Sequence, residues 1–379
     1  MGRPVSYPES VLERLAKADT PWLNAGDSVT RLGVTLAGTG IREIWKYTPI
    51  KSFVEAFADP QNGSSLVTAG LEQPGIQASD FAELSDTDLL LVRECLESLD
   101  GTCYPMADLT VLDTADGRLL KVAGEPAEPL VLETVQAGRH ATVIDVAAGA
   151  RLTLVEDSSA ADFNSQLVFL RLGPGAHVQH TRTALMSSAM QWSLLMAELD
   201  GDSAYTLQQY QTGGRKRRTD CHIKLNGRGA SAELTGAYLT EDGCHLDQQV
   251  IIEHRAPETT SRQKFHGIGT GKSRAVFNGR IHIHHGASAS DALLTNRNLS
   301  LNPGAEIDTK PELEIYTDDV RCAHGATVGQ LSEESLFYLR SRGITETAAR
   351  ALLCRGFLRE CIAGPSTDTV TARLTGALQ

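Results

Sequence analysis

Two residues near the C-terminal end of the chain carry its plainest chemistry: Cys322 and His324, in the segment PELEIYTDDVRCAHGATVGQLSEESLFYLRSRGI from Pro311 to Ile344. The alternation of Leu313, Ile315 and the residues after them predicts extended chain, so side chains two apart project from one face. A thiolate beside an imidazole is a soft-metal ligand pair. Taken alone, a C-x-H triplet more often describes a buried thiol beside a hydrogen-bonded histidine.

A second cluster, IHIHH at Ile281 to His285, reads as strand. His282 and His284 then share a face, and Ile281, Ile283 and His285 take the other. A two-histidine metal site is geometrically possible there, but no third ligand stands nearby in sequence. The plainer reading is a polar strand face above a core lined by Ile281 and Ile283.

Other motifs are weaker. GIGTGKS at Gly267 to Ser273 lacks the first glycine of a phosphate loop, since that place holds His266, and RAVFNGRIHI after it reads as strand where the motif needs a helix N-terminus. In a repeating β structure GTGK is a turn. RKRR at Arg215 to Arg218 is the one basic run and reads as a solvated loop. The Asp318-Asp319 pair suggests acid–base work of the kind found in β-helix carbohydrate-active enzymes, against the plainer reading of turn carboxylates near Arg321. An aromatic content of 5% leaves little sugar-stacking surface for such an enzyme. No nucleophile elbow and no H-E-x-x-H is present.

The chain that must position these groups has 379 residues, 41% of them hydrophobic, enough for a large core and two or three domains. A net charge of −12 argues against general binding to nucleic acid or anionic membrane. There is no 18-residue apolar stretch, and MGRPVSYPES lacks a signal-peptide core, so a cytoplasmic location is expected. The seven cysteines contain no C-x-x-C pair, which fits neither a disulfide framework nor a self-contained zinc site. A metal cluster handled by this chain would share its ligands with another chain.

Three regions follow. Residues 1–107 read as an N-terminal helical domain, with VLERLAKA, IKSFVEAFA and DTDLLLVRECLESL at helical spacing. Residues 108–329 become short alternating runs between turns. Taking Gly149, Gly175, Asp202, Gly229, Pro257 and Gly286 as equivalent gives nearly constant steps of about 28 residues, with Gly243 and Gly271 midway in later steps. Strands too short to bury their own faces, repeated with one period, predict a mainly β solenoid of two-strand coils; a β-sandwich is the rival. Residues 330–379 return to helix: Ser332 caps one ending at Gly343, and Thr345 caps a second with Ala349, Leu352, Leu353, Phe357, Cys361 and Ile362 as its apolar stripe, ended by Gly364-Pro365. The last residues read as a mobile polar tail.

The run from Lys310 to Ile344, AVFNGRI at Ala275 to Ile281, LLTNRNLSL at Leu293 to Leu301 and EIWKYTPI at Glu43 to Ile50 closely resemble the SufB/SufD family, the scaffold proteins of the SUF iron–sulfur cluster assembly system. HGAT at His324 to Thr327, with glycine after the histidine, sides with the SufD branch. The resemblance implies a right-handed parallel β-helix flanked by N- and C-terminal helical domains. It implies a non-catalytic subunit of a SufBC2D complex, contributing to iron acquisition and nascent cluster formation. His324 is then the favoured ligand to iron or to a transient cluster shared with a SufB cysteine, and Cys322 assists or lines the interface. The same resemblance assigns the C-terminal helices to docking the ATPase SufC, with Phe337, Tyr338, Arg340 and Arg342 as contacts, and allows a homodimer when the chain is alone. A SufB-like chain that nucleates the cluster itself is the alternative.

Overall fold

A computed structural model describes residues 11, 13, 15–17, 20–37, 43–57, 66–99, 103–114, 116–158, 162–185, 190–363, 370–372, 374 and 376. The N-terminal region contains helices α1 (Ala25–Ala37), α2 (Lys51–Ala56), α3 (Asp86–Glu97) and α4 (Pro105–Leu112), with short strands β1 (Leu66–Ala69) and β2 (Ile76–Asp80) between α2 and α3. VLERLAKA lies partly outside the described residues.

From Asp116 the chain winds as two-strand coils. The strands are β3 (Asp116–Val122), β4 (Leu130–Thr134), β5 (Gly138–Val146), β6 (Arg151–Ser158), β7 (Phe163–Leu172), β8 (His177–Ala184), β9 (Met190–Leu199) and β10 (Ala204–Thr212). They continue as β11 (Lys216–Leu225), β12 (Ser231–Thr240), β13 (His245–His254), β14 (Thr260–Gly269), β15 (Arg274–Ile283), β16 (Ser290–Ser300), β17 (Glu306–Ile315) and β18 (Val320–Gly329). One sheet runs β1-β4-β6-β8-β10-β12-β14-β16-β18 and the other β17-β15-β13-β11-β9-β7-β5-β3-β2. Neighbours are parallel except β1 with β4 and β2 with β3. The result is a parallel β-solenoid of about eight coils with helices at both ends, as the period predicted.

The turns explain the period. Gly149, Gly175, Asp202 and Gly229 all take positive φ, and each donates its N–H to the carbonyl of the next turn: Gly149 to Pro174, Gly175 to Gly201, Asp202 to Arg228, Gly229 to Pro257. A left-handed residue is needed once per coil, and glycine supplies it without strain. In the next coil the role falls to Glu258 (φ 59°) and not to Pro257, whose ring locks φ negative. Gly271 of the GTGK segment, at φ 62°, is the opposite turn, between β14 and β15.

Inward side chains alternate along each strand. Most of the interior is apolar, including Leu154, Leu170, Ile223, Leu234, Ile252, Phe277 and Leu294. It also holds a buried ionic group, in which Arg182 reaches Glu156 at 2.7 Å and His180, in register with Leu154, stands 3.3 Å from the same carboxylate. Burial raises the Glu156 carboxyl, but Arg182 and His180 outweigh it and hold the group at about 2.

One expectation is refined and three are corrected. The mainly helical region before 107 also carries β1 and β2, which pair antiparallel with the first strand of each sheet and close that end of the solenoid. The boundary at 108 falls inside α4, which bridges the two regions: its Asp108 is bonded to Arg31 of α1 at 2.7 Å and its Thr110 to Ser165 of β7 at 2.6 Å, and the first coil strand starts at Asp116. The RKRR run is not a loop: Arg217 and Arg218 are fully buried in β11. Arg217 donates to Gln191, and Arg218 to Asp220, Asp247 and the carbonyl of Ile44, which satisfies the cations inside. The described part of the tail is not a free polar segment, since Val370 and Leu374 bury against Tyr210, Leu239, Ile268, Cys354 and Leu358.

The C-terminal helices are α5 (Glu333–Ser341) and α6 (Glu346–Arg359). Both predicted caps are made: the Ser335 N–H donates to Ser332 Oγ and the Ala348 N–H to Thr345 Oγ1. Helix α6 stops at Arg359, before Gly364-Pro365, which lie outside the described residues. It lies over β12 and β14 and buries Ala349, Cys354 and Leu358, whereas Leu352 of the predicted stripe is 48% exposed.

Candidate metal and partner site

Strand β18 ends its sheet, with β16 as its sole hydrogen-bonded neighbour among the described residues. The register places Val320 opposite Ser290, Cys322 opposite Ala292 and His324 opposite Leu294. Ser290, Ala292 and Leu294 all point into the solenoid and are buried, so Cys322 and His324 continue inward-facing rows and share one face. Among the described residues no following coil covers them. Cys322 is half-buried against the apolar core and its thiol is raised by burial, whereas His324 is exposed.

Strand β17 ends the other sheet in the same way, and its inward Ile307 and Leu313 are likewise only half covered. Ile315 is 42% and Val328 48% exposed. The two ends of the solenoid therefore differ: the first coil is closed by β1 and β2, and the last presents unpaired backbone edges, bare apolar side chains and the Cys322–His324 pair together. Unpaired edges of this kind are where a solenoid takes a cap or a partner. Asp318 and Asp319 sit exposed in the turn joining β17 to β18, where the Asp319 carbonyl accepts the Ala289 N–H, as turn residues do.

On α5 the helix buries Leu336 inward and turns Phe337 (74% exposed) and Tyr338 (57% exposed) to solvent. Arg342 lies 5.4 Å from the Tyr338 ring centre, and Arg340 is 3.6 Å from Glu346. Helix α6 packs on the outer face of a sheet and α5 packs on α6, with Phe337 and Tyr338 turned away to solvent.

The EIWKYTPI segment sits on the outer face of the opposite sheet. Trp45 is buried there, Thr48 donates to Asp247 at 2.6 Å, and the Ile44 carbonyl accepts from Arg218. Sequence reasoning found the motif but not this role.

His282 and His284 share the outward face of β15, as predicted, with rings stacked 3.8 Å apart. A third potential donor is Glu253 of β13, directly opposite His282 in register and 2.7 Å from His284 Nε2. Ligand atoms of all three lie within 4.8 Å of one another. The spacing of the turns was the signal that reaches Glu253, which lies one coil before His282.

No described helix is long and apolar enough to cross a membrane. Residues 131–357, more than half the chain, match the family model "SUF system FeS cluster assembly, SufBD core domain". The iron–sulfur cluster assembly protein SufD of Escherichia coli (strain K12) is 33% identical over 258 residues, covering 64% of this chain and 60% of the relative. An iron–sulfur cluster assembly SufBD family protein of Mycobacterium leprae (strain TN) is 37% identical over 175 residues, 44% of this chain and 45% of the relative. The chloroplastic protein ABCI7 of Arabidopsis thaliana is 30% identical over 234 residues, 60% of this chain and 47% of the relative. The matches thus span at most 60% of these relatives' lengths.

Proposed function

The chain belongs to the SufBD family of iron–sulfur cluster assembly proteins, and on that premise we propose that it is the SufD-like subunit of a scaffold complex, paired with SufB and docked to SufC. One observation carries this reading. The soft-ligand pair Cys322 and His324 lies on the terminal strand of the solenoid's open end, where the chain's own edge is unpaired. A heterodimer formed across β17 and β18 covers the bare apolar rows and brings a second chain's ligands to His324.

In this account the cluster is cargo. An exposed imidazole binds Fe2+ and releases it more readily than a thiolate, which suits a cluster that is built and passed on. The Cys322 thiol, raised by burial, holds its proton at neutral pH and becomes a good ligand only when iron displaces that proton. His324 is accordingly the primary ligand and Cys322 an assisting one.

Phe337, Tyr338, Arg340 and Arg342 form the SufC contact. Exposed aromatic side chains beside arginines are the composition of an interface anchor. Nucleotide-driven movement of SufC would then act on α5 and α6, and through the packing of α6 on β12 and β14 strain the open end. The chain's part in this reading is mechanical and ligating. Anaerobic co-purification with SufB and SufC, followed by iron and acid-labile sulfide analysis, tests the assignment: a three-protein complex that accumulates both supports it, and a chain that recovers neither partner contradicts it.

A further inference from the structure

We propose that Glu253, His282 and His284 form a second metal site, for a first-row divalent ion, on the outer face of the solenoid and separate from the Cys322–His324 pair. Two imidazoles from a His-x-His strand and one carboxylate from the neighbouring strand make an N2O donor set of the kind that holds zinc or iron(II) with positions left open. The three ligand atoms already lie within 4.8 Å of one another, and His284 Nε2 is 2.7 Å from Glu253 Oε2. Ligands around one such ion stand about 3.4 Å apart. Rotation of the two partly exposed imidazoles makes up the difference.

The carboxylate is held from behind. Its other oxygen, Oε1, is 2.6 Å from His222 Nε2, and His222 Nδ1 is 3.0 Å from the Tyr104 hydroxyl. Such a chain fixes a ligand's orientation before the ion arrives and leaves Oε2 facing the imidazoles. Arg255, at 2.9 Å from Oε2, is the competing cation; its side chain is 39% exposed and free to swing to solvent.

An independent observation comes from the register. Along one outward row of this sheet, in strand order, stand Lys121, Asp145, Arg171, Glu198, Lys224, Glu253, His282 and Glu314. Each rung up to Glu253 alternates a permanent cation with a carboxylate, as favourable cross-strand pairing requires. At the rung between Glu253 and Glu314 the permanent cation is replaced by an imidazole, with Glu314 Oε2 3.7 Å from His282 Nδ1. A bound divalent ion restores the positive charge that the alternation lacks there.

The test is an anaerobic Co2+ titration of the full chain followed by visible absorption, with Zn2+ as competitor, run in a His324→Ala background so that the terminal pair adds no signal. One Co2+ per chain, displaced by Zn2+, is expected. His284→Asn and His282→Asn should each weaken binding by at least about tenfold, and Arg255→Gln should strengthen it by freeing Oε2. Thermal melting confirms that the variants are folded. A parent chain that binds no Co2+, or folded histidine variants that bind it as the parent does, would overturn the site. Either result leaves the interface reading standing.

Discussion

The guanidinium of Arg218 lies 4.0 Å over the ring of Trp45. That contact closes the outer face of the solenoid against the N-terminal segment, because the same guanidinium bonds Asp220 and Asp247 below and the Ile44 carbonyl above. A buried cation held by carboxylates on one side needs an apolar or π-face cover on the other.

Trp45→Ala removes that cover and leaves a cavity beside a buried charge. The loss should be about 3–5 kcal/mol, read from the denaturant midpoint. A loss under about 1 kcal/mol would show that the segment is not fastened there.

The ionic group inside the coils predicts an acid limit. Glu156 is held at about 2 in the folded chain, against 4.5 for the free side chain. Since its folded value is depressed, the stability it contributes is present above the ordinary carboxylate range and lost as pH falls from about 4.5 towards about 2. His180, lowered chiefly by burial, adds a loss that begins below its ordinary value of 6.5. Arg182→Ala leaves the carboxylate buried without its cation and should cost about 3–5 kcal/mol at neutral pH, with a weakened acid transition in thermal melts. An unchanged pH profile in that variant would contradict the pairing.

The repeat was legible because its marker is local: Gly149, Gly175, Asp202 and Gly229 are the residues that a left-handed turn demands, and each recurs once per coil. The ligand set around His282 was not legible as a cluster, since Glu253 meets it only through register. Arg217 and Arg218 misled for a related reason. A basic run signals solvent unless its partners are known, and two of these, Gln191 and Asp247, lie on neighbouring strands, while Asp220 faces Arg218 along its own strand. The pair Cys322 and His324 was placed on one strand face from alternation alone, but its position on an uncovered edge follows from the chain ending its coils there.

The open end predicts self-association of the isolated chain through β17 and β18. Ile315→Lys with Val328→Lys puts charge on bare positions of the terminal coil and should shift the chain towards monomer in light scattering at micromolar concentration. A parent chain that is already monomeric, with both edge strands unprotected in hydrogen exchange, would argue against the edge as an interface.

Phe337→Ala and Tyr338→Ala should leave the melting temperature within about a degree or two of the parent, because both side chains are mostly in solvent. Retention of SufC on the tagged complex should fall at least about tenfold, the loss of a central interface anchor. A lowered melting temperature with SufC still bound would make them packing residues of the helical region.

His324→Ala in the complex with SufB and SufC tests the central claim most directly. The account predicts that the complex assembles with its normal stoichiometry, since one imidazole adds little to a large interface, while iron and acid-labile sulfide fall to a small fraction of the parent level; Cys322→Ala should be milder and His284→Ala close to the parent. A His324→Ala complex that assembles and accumulates cluster at the parent's rate would contradict the ligand role.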